Sequence, residues 1–507
     1  MPRTIRRQVG QNEHRSMFLG IDIGTSAVKA LIVDDQGEVQ VQAQAPLTVS
    51  RPHPRWSEQD PEHWWQATQQ TVAALPSSLR SAVRAIGLSG QMHGATLLDR
   101  EDQPLRPAIL WNDGRSEAQC RELENRVPES RQITGNLAMP GFTAPKLLWV
   151  EQHEPDVFRR LRRVLLPKDY VRLRMTGESA TDLSDASGTL WLDVAQRRWS
   201  NEMLAATNLS EIHMPQLFEG SAACGQLRDE VAAEWHMKPV PVAAGAGDNA
   251  AGAVGVGVID PGHALLSLGT SGVIFAADDR FRPNPERAMH AFCHALPDRW
   301  HEMSVMLSAA ACLDWVAKLT GYANTASAIA DAERHHSEQD REIFLPYLSG
   351  ERTPHNNPYA QGVFFGLSHD TTPAALVRAA LEGVAFALAD GLEALHEAGV
   401  QLTRLSVIGG GSRSMYWGQR LAAALHLPLD YRGGADFGPA YGSAHLARLA
   451  LLNESPSQVC APLPVAHTIQ PEPSLVESLQ SKRLIFRNLY SDLSPAFRAN
   501  FRSAAQS

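Results

Sequence analysis

A Gly-Thr-Ser triplet occurs twice in the sequence, each time between two apolar segments. The copies are Gly24-Thr25-Ser26 and, about half a chain further on, Gly269-Thr270-Ser271. A turn of these residues exposes backbone N–H groups and hydroxyls with no bulky side chain in the way, which suits an oxygen-rich anion such as phosphate. One copy alone would be ordinary hairpin chemistry. Two copies predict an internal duplication and a pair of loops that hold one polyphosphate.

The two copies differ at the position two residues before the glycine. Asp22 lies between Ile21 and Ile23 in an otherwise apolar strand, whereas Ser267 occupies the equivalent position in the second copy. A carboxylate beside a phosphate loop supplies a hard oxygen ligand, directly or through water, for the Mg²⁺ that accompanies ATP. We therefore predict that Asp22 is the metal ligand and one of two catalytic carboxylates.

A third loop of small residues follows an apolar segment at 405–408. It contains Gly410, Gly411 and Ser412, and a helix is expected to begin near Ser412 or Ser414. Small residues allow a ligand to lie against the backbone, but a closely packed strand-to-helix turn explains the glycines about as well. Because the loop agrees with the two phosphate turns, we predict that it binds the other end of the nucleotide.

The second candidate carboxylate is Asp248, which is followed by Asn249 at the start of a helix of small residues. Asp is a favoured helix N-cap, and capping is the simpler explanation. However, the glycines at 245 and 247 open space in front of the carboxylate, and a cap does not need that space. A carboxylate in this setting can accept the proton of a hydroxyl that attacks a γ-phosphorus. We favour the role of general base.

Polar residues also end two apolar segments of the first half. Met92 and His93 follow one segment, and Trp111 and Asp113 follow another. Separately, a lone histidine and an Asn-Asp-Gly turn are more often structural. An open α/β sheet nevertheless collects its ligand where several strands end, so these four residues are candidates for the ligand site.

Length and composition limit the class of protein. The chain has 507 residues, of which 44% are apolar and 20% charged, with a net charge of −9 that is spread without blocks of like sign. We expect two domains, at 17–258 and 259–507, because the length exceeds what one core supports. The charge pattern argues against a nucleic-acid or anionic-membrane surface as the main partner.

The cysteines and the first residues bear on location. Five cysteines lie far apart and form no C-x-x-C pair, which favours reduced thiols in a cytoplasm. Residues 1–16 are basic and polar and lack the apolar core of a secretory signal, and no later segment gives about 18 uninterrupted apolar residues. We expect a cytoplasmic protein without a membrane partner, whose first sixteen residues are a disordered tail or come from an upstream start codon.

Duplicated strand-turn-strand phosphate loops resemble those of the actin, hexokinase and Hsp70 superfamily. Longer stretches resemble the FGGY family of carbohydrate kinases, among them GQMHGATLLD, RPAILWNDGR, SLGTSGV and FLPYLSGERTPHNNP. One family signature is matched by Gly141, Thr143, Lys146, Trp149 and His153. A second is matched except at Ala375, where the signature has a polar residue, and we expect this to be a surface change.

The resemblance implies a fold and a set of roles. The fold is α/β, with two RNase H-like domains and the active site in the cleft between them. Asp248 corresponds to the catalytic base, Asp22 to the Mg-ATP aspartate, and the glycine-containing loops to the ATP site. Sugar-binding positions are matched by Met92, His93, Trp111, Asp113 and Asn249. The most similar members phosphorylate D-xylulose with Mg²⁺ and ATP, and a homodimer is expected only by analogy.

Two alternatives remain open at this point. Another kinase of the same family would act on L-ribulose, D-gluconate or glycerol, because pocket shape decides the sugar and one sequence does not show it. A catalytically idle sugar or nucleotide sensor on the same fold is a different class of protein. Such a sensor should lack the base, yet Asp248 is present.

Overall fold

The computed structural model describes residues 16–335, 340–433, 438–452 and 454–504. The tail predicted at residues 1–16 lies outside the described residues, except for Ser16. Within these ranges no helix is both long enough and apolar enough to cross a membrane. All five cysteines are buried and free.

The elements of the first half, in chain order, are β1 (Met17–Ile23), β2 (Ala27–Asp34), β3 (Val39–Pro46), β4 (Glu58–Gln59), α1 (Pro61–Ala73), α2 (Ser77–Arg80), β5 (Val83–Gly90), β6 (Thr96–Leu98), β7 (Ala108–Ile109), α3 (Glu117–Arg126), α4 (Ser130–Thr134), α5 (Thr143–His153), α6 (Pro155–Arg160), β8 (Arg163–Leu165), α7 (Pro167–Thr176), β9 (Ala180–Asp182), α8 (Leu183–Ser187), β10 (Leu192–Asp193), β11 (Arg198–Trp199), α9 (Asn201–Ala205), β12 (Gln216–Phe218), β13 (Ala223–Gln226), α10 (Asp229–Glu234), β14 (Pro241–Ala243), β15 (Ala246–Gly247) and α11 (Asp248–Gly255).

The elements of the second half are β16 (Ala264–Leu268), β17 (Gly272–Asp278), β18 (His290–Cys293), β19 (Trp300–Met306), α12 (Ala310–Leu319), α13 (Thr325–Arg334), β20 (Ile343–Leu345), β21 (Val363–Phe365), α14 (Pro373–Glu397), β22 (Leu405–Ile408), α15 (Met415–Leu425), β23 (Leu429–Arg432), α16 (Gly438–Leu451), α17 (Pro456–Val459), β24 (Val465–Ile469) and α18 (Pro473–Ala504). Short 3₁₀ helices lie at Glu211–His213, Pro285–Arg287 and Gly410–Arg413.

Each half is built on one large mixed sheet, and the two sheets share a strand order. In the first sheet the order β3-β2-β1-β5-β14 is antiparallel across β3, β2 and β1 and parallel from β1 onward. In the second sheet β19-β17-β16-β22-β23 repeats this arrangement of directions. The duplication that was predicted from the two Gly-Thr-Ser turns is therefore confirmed in the fold.

The two Gly-Thr-Ser triplets occupy equivalent turns. The first joins β1 to β2, and its Gly24 N–H donates to the carbonyl oxygen of Ala27 at 3.1 Å. The second joins β16 to β17, and its Gly269 N–H donates to the carbonyl oxygen of Ser271 at 3.0 Å. Both β1 and β16 are almost wholly apolar and buried, as expected for strands that are covered on both faces.

Helix α16 belongs to the second half in sequence but packs against the first sheet. Its backbone approaches β1 so closely that a Cβ at Gly20 would overlap the carbonyl oxygen of Ala440. Ala444 and Tyr441 of the same helix share a buried apolar cluster with Phe18 and Leu31 of the sheet. The helix also crosses α11, the helix that Asp248 begins. The two halves are thus interlocked through α11 and α16.

The expectation for Ala375 was wrong, because this residue is buried, with 4% of its surface exposed. It lies in the first turn of α14, where its backbone N–H donates to the hydroxyl of the N-cap Thr372 at 3.2 Å. Burial favours a small apolar side chain here. The glycine loop is followed by α15, which begins at Met415 with Ser414 as its N-cap, so the second of the two predicted starts is correct.

Candidate active site

Asp22 lies at the carboxyl end of the central strands of the first sheet. It is 7% exposed, and its Oδ1 accepts a hydrogen bond from Ser89 Oγ at 2.9 Å. Ser89 pairs with Asp22 across β1 and β5, and it pairs with Ala246 across β5 and β15. Neighbouring strands lie about 4.8 Å apart, so the register puts the Cα atoms of Asp22 and Ala246 about 10 Å apart. Asp248 follows two residues later.

Asp248 is the first residue of α11, and the N-cap is Gly247, which has no side chain to cap with. Capping was the alternative role considered for Asp248. The structure does not support it, because Gly247 and not Asp248 occupies the N-cap position. Oδ1 of Asp248 accepts hydrogen bonds from the backbone N–H of Asn249 at 2.7 Å and from its Nδ2 at 3.0 Å. The side chain of Asn249 orients the carboxylate, and Asn249 is itself exposed.

The electrostatics of the two carboxylates are linked. Burial raises the pKa of Asp248 to about 7, and the negative charge of Asp22 contributes to the increase. Burial also raises the pKa of Asp22, against the opposing effects of the Ser89 hydrogen bond and the Lys29 charge. A carboxylate with a pKa near neutrality is a much better proton acceptor for a hydroxyl than an ordinary aspartate.

Met92 connects the Asp248 turn to the next part of the site. Its side chain packs against the backbone of Gly247, so a Cβ there would lie 2.9 Å from Met92 Cγ. The terminal methyl of Met92 lies beside Gly188, and His93 contacts the same glycine. Met92 therefore forms an apolar wall between the carboxylate at Asp248 and the histidine.

The tautomer of His93 follows from its contacts. Its Nδ1 lies 2.7 Å from the carbonyl oxygen of Gly188, which can only accept, so Nδ1 carries the proton and Nε2 keeps a lone pair. Burial and the nearby Lys146 charge lower the pKa of His93 to about 3, so the ring is neutral. A Cβ at Gly188 would overlap the imidazole. His93 is thus a fixed hydrogen-bond acceptor for a ligand hydroxyl.

The backbone of His93 is held by residues of the family signature. His93 has a left-handed conformation, with φ of 68°, which is uncommon for a residue other than glycine. Its carbonyl oxygen accepts from Lys146 Nζ at 2.8 Å and from the Thr143 hydroxyl at 3.1 Å, and Lys146 also donates to the carbonyl oxygen of Gly141 at 2.7 Å. These residues at the start of α5 position the histidine.

Trp111 joins the site to the first Gly-Thr-Ser turn. Its indole Nε1 donates to Thr25 Oγ1 at 3.0 Å, and the same hydroxyl donates to Gln91 Oε1 at 3.1 Å. The indole is 41% exposed. Thr25 was predicted to bind phosphate. In this structure its hydroxyl connects the turn to the side chain of Trp111 through a hydrogen bond.

Asp113 occupies a different environment from the other candidates. Its carboxylate accepts from the backbone N–H of Ser57 at 2.6 Å, from the backbone N–H of Arg115 at 2.9 Å, and from the Arg115 guanidinium at 2.7 and 2.9 Å. The side chain is fully buried. The geometry is that of a buried ion pair that holds the loop carrying Trp111, so any effect of Asp113 on a ligand passes through that loop.

A buried cluster of charges lies behind the Asp248 turn. Lys168 Nζ is within 2.9 Å of carboxylate oxygens of Asp169, Asp182 and Asp185, all with no exposed side-chain surface. Ser184 Oγ donates to Asp182 at 2.5 Å and accepts from the backbone N–H of Gly247 at 3.1 Å. This cluster was not predicted, although the adjacent Lys168 and Asp169 in an apolar segment were a signal that could have identified it.

In the second half, the turn at Gly269-Thr270 and the glycine loop come together because β16 and β22 are adjacent and parallel. Ser267 pairs with Ile408, the last residue of β22, just as Asp22 pairs with Ser89. Thr270 is exposed, and a Cβ at Gly410 would meet nothing within 4 Å. Ser412 donates to the carbonyl oxygen of Gly409 at 2.6 Å and closes the loop. The two predicted nucleotide loops thus border the same space.

A cavity beside His93 is lined from both halves, and only His93 and Trp111 among its lining residues were predicted for the ligand site. Its lining comprises His93, Trp111, Met139, Gly141, Phe142, His290 and Arg352. His290 and Arg352 belong to the second half, and a sequence offers no signal that residues so distant approach His93. The structure brings most of the predicted residues to the carboxyl ends of the two central sheets.

Among the described residues, no group of three or more His, Cys, Asp or Glu side chains could hold a metal ion. Asp22 is a single carboxylate with one oxygen engaged by Ser89. Mg²⁺ in nucleotide sites is commonly bound through one or two carboxylates together with the phosphates of the substrate. The donor set at Asp22 fits a Mg²⁺ that arrives with a nucleotide.

The duplicated fold and the sequence together define a carbohydrate kinase. Residues 17–255 match the N-terminal domain of the FGGY family of carbohydrate kinases, and residues 264–451 match its C-terminal domain. The chain belongs to this family, which confirms the resemblance and the predicted fold of two actin/hexokinase-type halves.

Relatives with similar sequences and structures are sugar kinases. Xylulose kinase of Escherichia coli (strain K12) is 58% identical over 482 residues, which cover 94% of this chain and 99% of the relative. The crystal structure of a xyloylose kinase from Brucella ovis superposes with a TM-score of 0.92 at 51% identity and covers 95% of this chain and 100% of that one. A gluconate kinase from Lactobacillus acidophilus shares the fold, with a TM-score of 0.91 at 23% identity over 96% of this chain and 100% of that one.

Proposed function

We propose that the protein transfers the γ-phosphoryl group of ATP to D-xylulose and forms D-xylulose 5-phosphate, as a step in D-xylose catabolism. The observation that carries the proposal is Asp248, a carboxylate with a pKa near 7 that follows the glycine on which Met92 packs and that is close enough to Asp22 for the two charges to interact. The similarity to kinases that are named for xylulose supports the choice of sugar.

In this mechanism Asp248 accepts the proton of the C5 hydroxyl of the sugar. The hydroxyl oxygen attacks the γ-phosphorus at the same time, and ADP leaves. Asn249 holds the carboxylate in place through two hydrogen bonds. The accepted proton then passes to solvent. Because the pKa of Asp248 lies near neutrality, the carboxylate is both largely ionised at pH 8 and basic enough to accept this proton.

The nucleotide is proposed to lie between the Gly24–Ser26 and Gly269–Thr270 turns, with its adenosine end against Gly410, Gly411 and Ser412. When Mg²⁺ is bound with ATP, it neutralises charge on the transferring phosphoryl group. Asp22 is the proposed ligand for this ion, and the backbone N–H groups of the turns supply further hydrogen bonds. Each of these assignments is a prediction about binding.

On the sugar side, Met92 supplies an apolar surface and His93 Nε2 accepts a hydrogen bond from a hydroxyl. Trp111 covers the opposite wall, and Asn249 lies next to the base. Asp113 acts indirectly in this proposal, by fixing the loop that carries Trp111 through its ion pair with Arg115. Sugar binding in such a pocket also displaces water, which is the competing phosphoryl acceptor.

We further propose that the chain works as two domains, 17–258 and 259–507, that close on the substrates. The crossing of α11 and α16 is the point about which they would move, since it carries Asp248 and joins the two halves.

We also propose that the protein is cytoplasmic and forms a homodimer. Size-exclusion chromatography with light scattering would test the dimer.

A coupled ADP-release assay tests the proposed function. The protein is supplied with Mg-ATP and, in separate reactions, D-xylulose, L-ribulose, D-gluconate, glycerol or no sugar. We expect release that depends strongly on D-xylulose, and phosphorus–proton NMR of the product should show the phosphate on C5. Preference for another polyol would overturn the sugar and keep the mechanism, whereas no release with any acceptor would favour the sensor.

A further inference from the structure

The sugar cavity has a wall that comes from the second half of the chain. His290, the first residue of β18, and Arg352 line the same cavity as His93. Phe142 packs edge-on against both His93 and His290, with ring centroids 4.9 and 5.3 Å away. The cavity is therefore complete only when the two halves are in contact.

A chain of hydrogen bonds fixes the direction of the Arg352 side chain. Asn136 Nδ2 donates to the carbonyl oxygens of Thr134 and Ala291 at 2.7 and 3.0 Å, which identifies its other atom as the oxygen. That oxygen lies 3.2 Å from His290 Nδ1, so Nδ1 carries the proton. Nε2 of His290 consequently has a lone pair, and Arg352 Nη1 donates to it at 3.1 Å.

The charge of Arg352 has little local compensation. Within the described ranges, no carboxylate forms an ion pair with its guanidinium. The carboxylate of its neighbour Glu351 contacts backbone and not the guanidinium, because Oε1 accepts from the backbone N–H groups of Leu307 and Arg352 at 3.0 and 2.7 Å. Burial raises the pKa of Glu351 to about 8, so this carboxyl is mostly neutral at pH 7. The guanidinium is thus held in a partly buried cavity, and its described contact is to the imidazole of His290 and not to a carboxylate.

We infer that Arg352 is a sugar-positioning residue that donates hydrogen bonds to the carbonyl oxygen of the open-chain ketose, across the cavity from His93. The inference rests on the proposed function. His93 Nε2 accepts from a hydroxyl, while the guanidinium only donates, so the pair distinguishes the polar groups of the ligand by their hydrogen-bonding character. A carbonyl oxygen carries no hydrogen and can accept two hydrogen bonds, so it matches a group that only donates.

The same arrangement links the sugar to the contact between the halves. Asn136 belongs to the first half, and His290 and Arg352 belong to the second, so the chain that aims the guanidinium crosses the junction. His290 is accordingly a positioning residue for Arg352. Its loss should weaken sugar binding less than the loss of Arg352 itself.

The test compares D-xylulose with xylitol, which carries a hydroxyl in place of the carbonyl. For Arg352→Met we expect KM for D-xylulose to rise at least tenfold and kcat/KM for xylitol to fall by a smaller factor, so that the preference for the ketose collapses. KM for ATP should stay within twofold of wild type. The matched control is Arg287→Met, which removes a partly exposed arginine of the same half that pairs with Glu397.

A second variant protects the test against a folding defect. His290→Phe keeps the aromatic packing with Phe292, at 5.5 Å between centroids, but removes the acceptor for Arg352. We expect a smaller rise in KM for D-xylulose and an unchanged KM for ATP. Equal losses for both sugars in both variants, or kinetics like those of the control, would overturn the inference. Absence of D-xylulose-dependent ADP release in the wild type would instead overturn the proposed function, and the inference with it.

Discussion

Replacement of Asp248 by asparagine tests the base directly, since it removes the negative charge and keeps the size of the side chain. The amide oxygen can still accept from the Asn249 N–H groups, so the start of α11 should be preserved. Removal of a general base lowers kcat by about 10²–10⁴, and we expect a loss in this range. Mg-ATP binding should be nearly unchanged.

The pH dependence of the wild type gives an independent magnitude. Because the pKa of Asp248 is about 7, roughly one tenth of the molecules carry the ionised base at pH 6 and about nine tenths at pH 8. At limiting Mg-ATP, kcat/KM for the sugar should therefore fall about tenfold for each pH unit below 7.

The assay is ADP release followed from pH 5 to pH 9 in the wild type and in Asp248→Asn, with ATP binding measured by calorimetry. Asp156→Asn, at an exposed position on α6, is the matched control and should behave as the wild type does. A variant Asp248→Asn that keeps kcat within tenfold of the wild type would refute the role of base. So would a variant that retains the acidic decline with its midpoint near pH 7.

Asp248→Asn should be more stable than the wild type at pH 8. Folding raises the pKa of Asp248 to about 7, so between about pH 4 and 7 the folded state keeps a proton that the unfolded state has released. The wild type therefore loses stability as the pH rises through this range, and the variant does not. Thermal melts should show this gain at pH 8 and little of it at pH 4, and equal melting temperatures at pH 8 would contradict the shift. Lys146→Met should raise KM for the sugar about tenfold without changing KM for ATP, since the left-handed backbone of His93 loses its ammonium donor; a change in both KM values would indicate general unfolding instead. Gly410→Ala should leave the melting temperature unchanged, because the added methyl meets nothing within 4 Å, and should weaken ATP binding in calorimetry if the nucleotide lies against this loop; unchanged affinity would remove the loop from the site.

Much of the fold could be predicted because its signals are local. The strand-turn-strand units around Gly24 and Gly269 are encoded in a few consecutive residues, by apolar runs that are interrupted by turn-forming ones. The helix start at Ser414 and the placement of Asp22 before a turn are of the same kind. Duplication of these units identified the architecture before any contact between them was known.

The sites of individual side chains were harder to predict, because a residue type does not specify its partner. Asp113 follows an apolar segment and Asp22 lies near the end of one, yet the Asp113 carboxylate is enclosed by Arg115 and the Ser57 N–H. The hydroxyl of Thr25 accepts from Trp111, a partner that the sequence did not indicate. In each case a neighbour in space, from another segment, decided which way the polar group points.

The sequence by itself determined the two Gly-Thr-Ser turns, the acidic residues beside Gly24 and Gly247, and the class of α/β fold, since these follow from short-range pattern and turn chemistry. Tertiary structure alone decided that α16 returns to the first sheet and that Arg352 reaches the cavity of His93. The physical reason is that such contacts depend on packing between segments hundreds of residues apart, where shape and hydrogen-bond complementarity select the partner and no local periodicity records the choice.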